Sequence, residues 1–470
     1  MVCQRDLSYR SQQRQEFFYK FSFISSSSAA TILFILLLTS YLPSLSLKLP
    51  LSIVYNHLFN QVTQQTTLRT MHYTVAITAA LAASAAALPR RPPGFSARQT
   101  KNHGYVRNGL AEYKKALIKY GAHEHAALIG VINSPADGNV TTNPSDGGSG
   151  DGVDVEYLTP VNIGGQVYSL DFDTGSSDLW VLGSQVQTSG GPHTVFTPKS
   201  GDKPVSGEAW QIKYGDGSGA SGVVYSETVN IGSVAVTKQA VEVATTASAQ
   251  FTSGTNDGLV GLAFSTINTI TTKGQKTPKK TFFQNAIDSG LLSKPVLGVS
   301  LKYKAPGSYD FGFIRSNASL AYTPVDSSQG FWSFKPSGIK VGGQVTPVTS
   351  DLTGIADTGT TLVLVPDDVV AAYYAGTGAT ADAANGGYYT FPCSTVLPDW
   401  SLVIGRTTIT VPGQYINYDT ISMGSSTCLG GIQSSKSIGI NIYGDVFLKA
   451  AYVVFDATAG APKLGFAQGV

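Results

Sequence analysis

Asp173-Thr174-Gly175-Ser176 and Asp357-Thr358-Gly359-Thr360 decide how this chain is read. Each follows a short run, Ser169-Leu170-Asp171-Phe172 in the first copy and Gly354-Ile355-Ala356 in the second. A single Asp-Thr-Gly is an ordinary turn signal, because Asp and Gly both favour turn conformations. Two copies, each with a hydroxyl residue in fourth place, point to a duplicated unit. Such a unit can bring two carboxylates together at its pseudo-twofold axis. A second pair keeps step with the first: Leu259-Val260-Gly261 ends 88 positions after Asp173, and Ile442-Tyr443-Gly444 ends 87 after Asp357. The matched offset reads as a two-copy internal repeat, with a strand-like segment expected after each glycine.

The chain has 470 residues, 13% charged and 42% hydrophobic, which suffices for two or more domains with proper cores. Gly reaches 51, Tyr and Phe are frequent, and many runs alternate apolar residues with Ser or Thr. That composition predicts an all-β protein of many short strands joined by turns. Helices are expected only at Gly109–Tyr120, at Phe282-Phe283-Gln284-Asn285-Ala286-Ile287, and at Asp367–Tyr374, where Pro366 and two acids open the first turn.

The wider context of the repeats resembles one family. Phe172-Asp173-Thr174-Gly175-Ser176-Ser177-Asp178-Leu179-Trp180-Val181 is similar to the first active-site segment of pepsin-like aspartic endopeptidases. Tyr214-Gly215-Asp216-Gly217-Ser218 resembles their flap, and Asp257 to Ala263 and Gly444 to Leu448 resemble further landmarks. From about Glu156 to the C-terminus the chain resembles secreted fungal enzymes of the aspergillopepsin and penicillopepsin type. The resemblance implies a bilobal fold of two pseudo-twofold-related β-barrel lobes, with a cleft between them and a few short helices. It implies polypeptide substrates, inhibition by pepstatin-type compounds, a monomeric mature form and no cofactor or metal.

The chemistry expected of such a pair follows from electrostatics. Two carboxyls a few ångström apart share one proton and titrate as a unit; aspartic proteases are the standard illustration of this behaviour. Asp173 and Asp357 are the candidate pair. Gly175 and Gly359 let backbone approach the carboxylates, and the Ser176 and Thr360 hydroxyls are placed to donate to them. By resemblance, Tyr214 and Gly215 belong to a flap over the cleft, with the Tyr214 hydroxyl directed toward Trp180. Asp216 on that flap would face a substrate ammonium and give tolerance of Lys before the scissile bond; a turn Asp pointing to water is the other reading. Phe251, Leu259 and Thr361 are candidate pocket residues.

Other reaction classes find less support. A serine triad needs His, and beyond Asn143 only His193 occurs, outside any metal-ligand pattern. His123-Glu124-His125 has i, i+2 spacing, which does not put both imidazoles on one helix face. A binding-only relative of the fold is the non-enzyme alternative; such proteins lose an active-site Asp, Gly or flap Tyr, and all are present here.

Charge is distributed unevenly. Up to residue 141 there are 14 Lys+Arg against 5 Asp+Glu, and beyond it 18 against 25. A basic arm can signal nucleic acid, but here the simpler partner is the chain's own acidic part; a solvated linker is the other reading. The expected organisation is an extension at 1–70, a signal peptide at 71–87 ending in small residues, a propeptide at 88–141, a linker bearing the mature N-terminus at 142–154, and lobes at 155–330 and 331–470. Residues 1–70 read as an over-extended start, translation beginning at Met71, or as a type II membrane anchor. The resemblance implies that a propeptide Lys reaches the catalytic carboxylates as an intramolecular inhibitor, and Lys119-Tyr120 is the candidate. Cys393 and Cys428 read as one disulfide of an exported protein, with buried free thiols as the alternative. Asn139 and Asn317 open glycosylation triplets. Secretion is the expected destination, with vacuolar delivery as the alternative.

Overall fold

The computed structural model describes residues 94–102, 109–128, 157–189, 192–213, 219–252, 256–382, 386–421 and 425–469. The expected extension, signal peptide and linker lie outside them. So do Asn139 and the flap residues Tyr214, Gly215 and Asp216.

Alternating side chains drive most of the chain into strands, as in Gln166–Asp173, whose later residues alternate buried and half-buried positions. A ten-stranded sheet runs from Gln275–Lys276 at one edge to Thr100–Lys101 at the other. Pairing of Tyr157–Ile163 with Gly219–Ile231 curls part of this sheet back on itself. The later part of the chain forms a five-stranded and two four-stranded sheets. A further six-stranded sheet is shared: its order is Phe95–Arg98, Ala305–Phe311, Val296–Lys302, Ala451–Asp456, Lys463–Gln468, Ala321–Pro324. Strands from before the first repeat, from its end and from the C-terminus therefore lie side by side. The architecture is the all-β, bilobal pepsin-like fold.

The repeat offset has a structural cause. Strand Gln166–Asp173 runs parallel to Gly258–Gly261, with Asp173 opposite Gly261. Strand Gly354–Ala356 runs parallel to Asn441–Tyr443, and the Asp357 N–H continues that ladder to Tyr443 O at 3.2 Å. In each copy a third strand, Leu179–Leu182 or Val363–Val365, returns antiparallel to the second. The chain crosses close behind each second glycine: a Cβ on Gly261 would lie 2.5 Å from the Ser177 backbone, and one on Gly444 would meet Thr360 O. Glycine is required there by contact with neighbouring backbone.

One expectation fails at this point. The segments after Gly261 and Gly444 are not strands. Gly261 leads to the 3-10 turn Ser265–Ile267, and Gly444 caps the helix Asp445–Leu448. The apolar run Val446-Phe447-Leu448 is buried against the core, and burial on all sides erases the periodicity that separates strand from helix. Short helices at Ala249–Thr252 and Gly413–Ile416 were likewise not expected.

The expected helices form as Gly109–Lys119, Phe282–Asp288 and Asp367–Tyr374. The first buries Leu110, Tyr113, Ala116 and Leu117 along one face, a spacing that matches the helical repeat. Burying each large apolar side chain contributes ~1.5–3 kcal/mol. Gly109 packs on Leu429 and Tyr418, and the Tyr113 hydroxyl donates to Ser434 O at 3.3 Å. Gly121, at φ 87°, ends the helix in the left-handed conformation. The turn this creates delivers Lys119 and Tyr120 to the centre of the molecule.

Candidate active site

Asp173 and Asp357 come together in the interior, 1% and 0% exposed. The two tetrapeptides are joined by crossed hydrogen bonds. The Thr174 N–H donates to Thr358 Oγ1 and the Thr358 N–H donates to Thr174 Oγ1, both at 3.0 Å. Each hydroxyl then donates onward, Thr174 to Ala356 O at 2.9 Å and Thr358 to Phe172 O at 2.5 Å. The amide and hydroxyl of each threonine find their partners in the opposite copy, which fixes the relative position of the two carboxyls.

Each carboxyl has matching support. The Gly175 N–H donates to Asp173 Oδ1 at 2.7 Å and the Ser176 hydroxyl to Oδ2 at 2.6 Å. The Gly359 N–H donates to Asp357 Oδ1 at 2.9 Å and the Thr360 hydroxyl to Oδ2 at 2.5 Å. The glycines also make room across the axis: a Cβ on Gly175 would collide with the Asp357 carboxyl, and one on Gly359 with that of Asp173.

Thr174 and Thr358 were not singled out by sequence. Their hydroxyls act on partners about half the globular region away, so no local pattern marks them. The signal was the identity of the second residue in both copies. Thr358→Val removes the acceptor of the Thr174 amide and the donor to Phe172 O. The expected cost is about 2–4 kcal/mol of unfolding free energy, read as a lower urea midpoint at unchanged slope.

Lys119 and Tyr120 occupy the space in front of the pair. Lys119 Nζ lies 2.9 Å from Asp173 Oδ1 and 3.1 Å from Asp357 Oδ2, and its side chain is 15% exposed. The Tyr120 hydroxyl donates to Asp357 Oδ2 at 2.5 Å, and its ring packs edge-on against Phe331. Burial disfavours a charged Lys119, but the two carboxylates outweigh it and hold the ammonium above its usual range. The carboxyls diverge. Burial pushes Asp173 up to about 6, with the Asp357 charge adding and Lys119 opposing. For Asp357 burial is outweighed by Lys119 and by hydrogen bonds from Asp173, Thr360 and Tyr120, so it stays well below the usual carboxylate range. The proton affinities of the two carboxyls are thus pulled apart, that of Asp173 upward and that of Asp357 downward.

The remaining candidates fall in two places. Trp180 stacks on Trp210 and meets Phe251 edge-on, and Leu259 packs on the same cluster. Thr361 lies on the other side, its hydroxyl donating to Glu112 of the helix Gly109–Lys119 at 2.9 Å. Strands Glu208–Lys213 and Gly219–Ile231 pair with Lys213 opposite Gly219, so residues 214–218 connect two paired strands. Cys393 and Cys428 are bonded, with Cα atoms 4.9 Å apart. Asn317 is exposed in a turn.

A family model described as "Eukaryotic aspartyl protease" matches residues 156–469. The chain belongs to the eukaryotic aspartyl protease family. Penicillopepsin-3 of Penicillium janthinellum is 47% identical over 380 residues, 79% of this chain and 92% of that protein. Aspergillopepsin-1 of Aspergillus flavus is 49% identical over 366 residues, 76% of this chain and 86% of that protein. The crystal structure of aspartic proteinase from Irpex lacteus aligns with a TM-score of 0.55 at 27% identity, covering 67% of this chain and 94% of that one. The protein is an aspartic endopeptidase of the penicillopepsin and aspergillopepsin type.

Proposed function

We propose that this aspartic protease is a secreted, acid-activated zymogen whose peptide hydrolysis is carried by Asp173 and Asp357. The observation that carries the reading is the pair itself. Two carboxyls, one from each repeat, share a single ammonium and hold unequal affinities for a proton. With the ammonium gone, a water between them loses a proton to the ionised carboxylate and attacks the peptide carbonyl carbon. The protonated carboxyl gives its proton to the carbonyl oxygen. The resulting tetrahedral intermediate collapses as the amide nitrogen takes up a proton, and the C–N bond breaks. Thr174, Thr358, Ser176, Thr360 and the two glycines hold the geometry. Trp180, Phe251, Leu259 and Thr361 shape the substrate cleft.

Residues 88–141 act as the inhibitor in this reading. Strand Phe95–Arg98 joins the shared sheet, helix Gly109–Lys119 covers the cleft, and Lys119 with Tyr120 blocks the carboxyls. The Cys393–Cys428 bond supports an oxidising destination, as does the apolar segment at 71–87. Vacuolar delivery fits the same facts. Asn317, exposed in its turn, is an accessible glycan acceptor.

Substrate preference is broad for large apolar residues around the cut, with Lys accepted before it. That tolerance is assigned to Asp216. Asp216→Ser is expected to reduce cleavage of a Lys-containing peptide by about 10-fold or more while sparing its Phe counterpart. Equal losses on both peptides would remove Asp216 from specificity.

The test of the whole reading is digestion of haemoglobin by acid-treated protein, with and without pepstatin, combined with N-terminal sequencing. Pepstatin-sensitive activity and a new N-terminus between Gly138 and Asp154 support it. Inactivity of processed, folded protein refutes it in favour of a binding role.

A further inference from the structure

A second pair of buried carboxyls lies behind the Asp173 loop. Asp178 and Glu242 are 3% and 1% exposed. Asp178 closes the loop that begins at Asp173, and Glu242 stands in strand Val234–Ala247 opposite Trp180. Their carboxyls share one donor, which places them within reach of each other's charge. Asn268 bridges them, its amide nitrogen donating to Asp178 Oδ1 and Glu242 Oε1 at 2.8 Å each. The same nitrogen lies 3.3 Å from Ser177 O, and the Thr269 N–H donates to Asp178 Oδ1 at 2.7 Å. Asn268 is held in this orientation because its Oδ1 already accepts from the Ile270 and Lys279 amides, at 3.2 and 2.8 Å.

Glu242 Oε2 is buried and has no donor. An ionised Glu242 would carry charge on an uncompensated buried atom beside a second carboxylate, which is costly on both counts. A proton on Glu242 removes both penalties and supplies a donor toward Asp178. The charged groups facing the pair are Lys276, which acts on Asp178, and Lys279, whose ammonium is taken by Glu208. Neither compensates Glu242.

We propose that Asp178 and Glu242 form a proton-sharing lock, separate from the catalytic pair, that sets the upper pH limit of the folded first repeat. The lock controls what lies around it. Gly261 N–H donates to Asp178 O, Leu262 N–H to Asp173 O and Ala263 N–H to Ser176 O, at 2.7, 2.7 and 2.8 Å. Ser177 Oγ donates to Phe264 O at 2.7 Å. The loop from Asp173 to Asp178 is thus clamped against residues 261–269, and Asn268 anchors the clamp to both acids. Two charges in place of one would push Glu242 from Asp178, free Asn268 and disturb Trp180, which lies two residues after Asp178 in strand Leu179–Leu182 and opposite Glu242.

The sign of the effect is fixed. Burial pushes Glu242 well above its ordinary 4.5, the Asp178 charge adds to this, and Asn268 opposes it. The folded state therefore keeps a proton that the unfolded chain releases. Stability is full below about pH 4.5 and falls as pH rises from there through the raised value.

The test uses the full chain, Glu242→Gln and Asp178→Asn, followed from about pH 4 to about pH 9 by tryptophan fluorescence and near-ultraviolet circular dichroism. Trp180 and Trp210, two of the four tryptophans, stack beside the lock and report on it without any need for activity. Each variant is expected to raise the unfolding midpoint by about one pH unit or more, and Glu242→Gln to release about one fewer proton on unfolding. In turnover assays Glu242→Gln leaves the reversible pH limb in place. Unchanged midpoints in both variants overturn the proposal. So does failure of both to fold near pH 5, because each carries a neutral side chain where the lock needs a shared proton. A moved reversible limb without a moved midpoint would assign the pair to the catalytic titration and also overturns it.

Discussion

Asp357→Asn is expected to cut turnover of a denatured protein substrate by about 10⁴-fold, with the fold retained. Asn keeps an oxygen to accept the Gly359 N–H, and its amide can turn toward the Thr360 hydroxyl, so the local hydrogen bonds survive. What disappears is the charge that, in the proposed cycle, takes a proton from water. Asp173→Asn removes the other half of the proton cycle and is expected to give a loss of similar size. The measurement is single-turnover hydrolysis at several acidic pH values, with circular dichroism to verify folding. Activity within about 10-fold of the parent in either variant would remove that residue from the chemistry.

The second large effect concerns latency. Lys119→Met deletes the ammonium that binds both carboxyls while keeping the length of the side chain. Breaking a buried pair costs about 3–5 kcal/mol when the remaining charge is stranded. Here Asp173 and Asp357 can relieve the strain by taking up a proton, so the lower end applies. The undocked fraction of the segment should rise by about 10²-fold. The expected observation is pepstatin-sensitive cleavage at near-neutral pH without acid treatment. In the parent both carboxyls act in the same direction, because the docked Lys119 lowers the proton affinity of each. Asp357, held low, favours docking above the ordinary carboxylate value of 3.8, and that contribution is lost as pH falls below it. Asp173 is raised to about 6 by burial and by the Asp357 charge while Lys119 pulls it down, so its protonation as pH falls through about 6 also weakens docking. Release in acid therefore follows protonation of the pair, and Lys119→Met should flatten that limb. Equal latency in parent and variant would show that the helix and strand inhibit without the ammonium.

Legibility in the sequence followed the range of the interaction involved. The tetrapeptides, the matched glycines and the three longest helices rest on contacts within a few residues or on a repeated spacing, and both leave a pattern in the chain. Gly261 and Gly444 stood out because a backbone strand passes where their side chains would be. The Thr174–Thr358 clasp was written in the sequence only as an identity between copies. The Asp178–Glu242–Asn268 lock left no mark, since its members are ordinary polar residues on three different segments. Helix Asp445–Leu448 was misread because a run buried on every side loses its period. The shared sheet was invisible for a related reason: its six strands span positions 95 to 468, and partners that distant are chosen by packing.

That shared sheet bears on the order of synthesis. Val296–Lys302 pairs with Ala451–Asp456, which pairs in turn with Lys463–Gln468. A nascent chain that has emerged only as far as the first Asp-Thr-Gly lacks the hydroxyl its Thr174 amide requires, and one that has reached the second still lacks the strands that join the halves. The sheet is complete only once Ala451–Asp456 and Lys463–Gln468 have left the ribosome. By then residues 94–128 have long been available to dock, so the ammonium that pairs with both carboxyls is made before the centre it meets is complete.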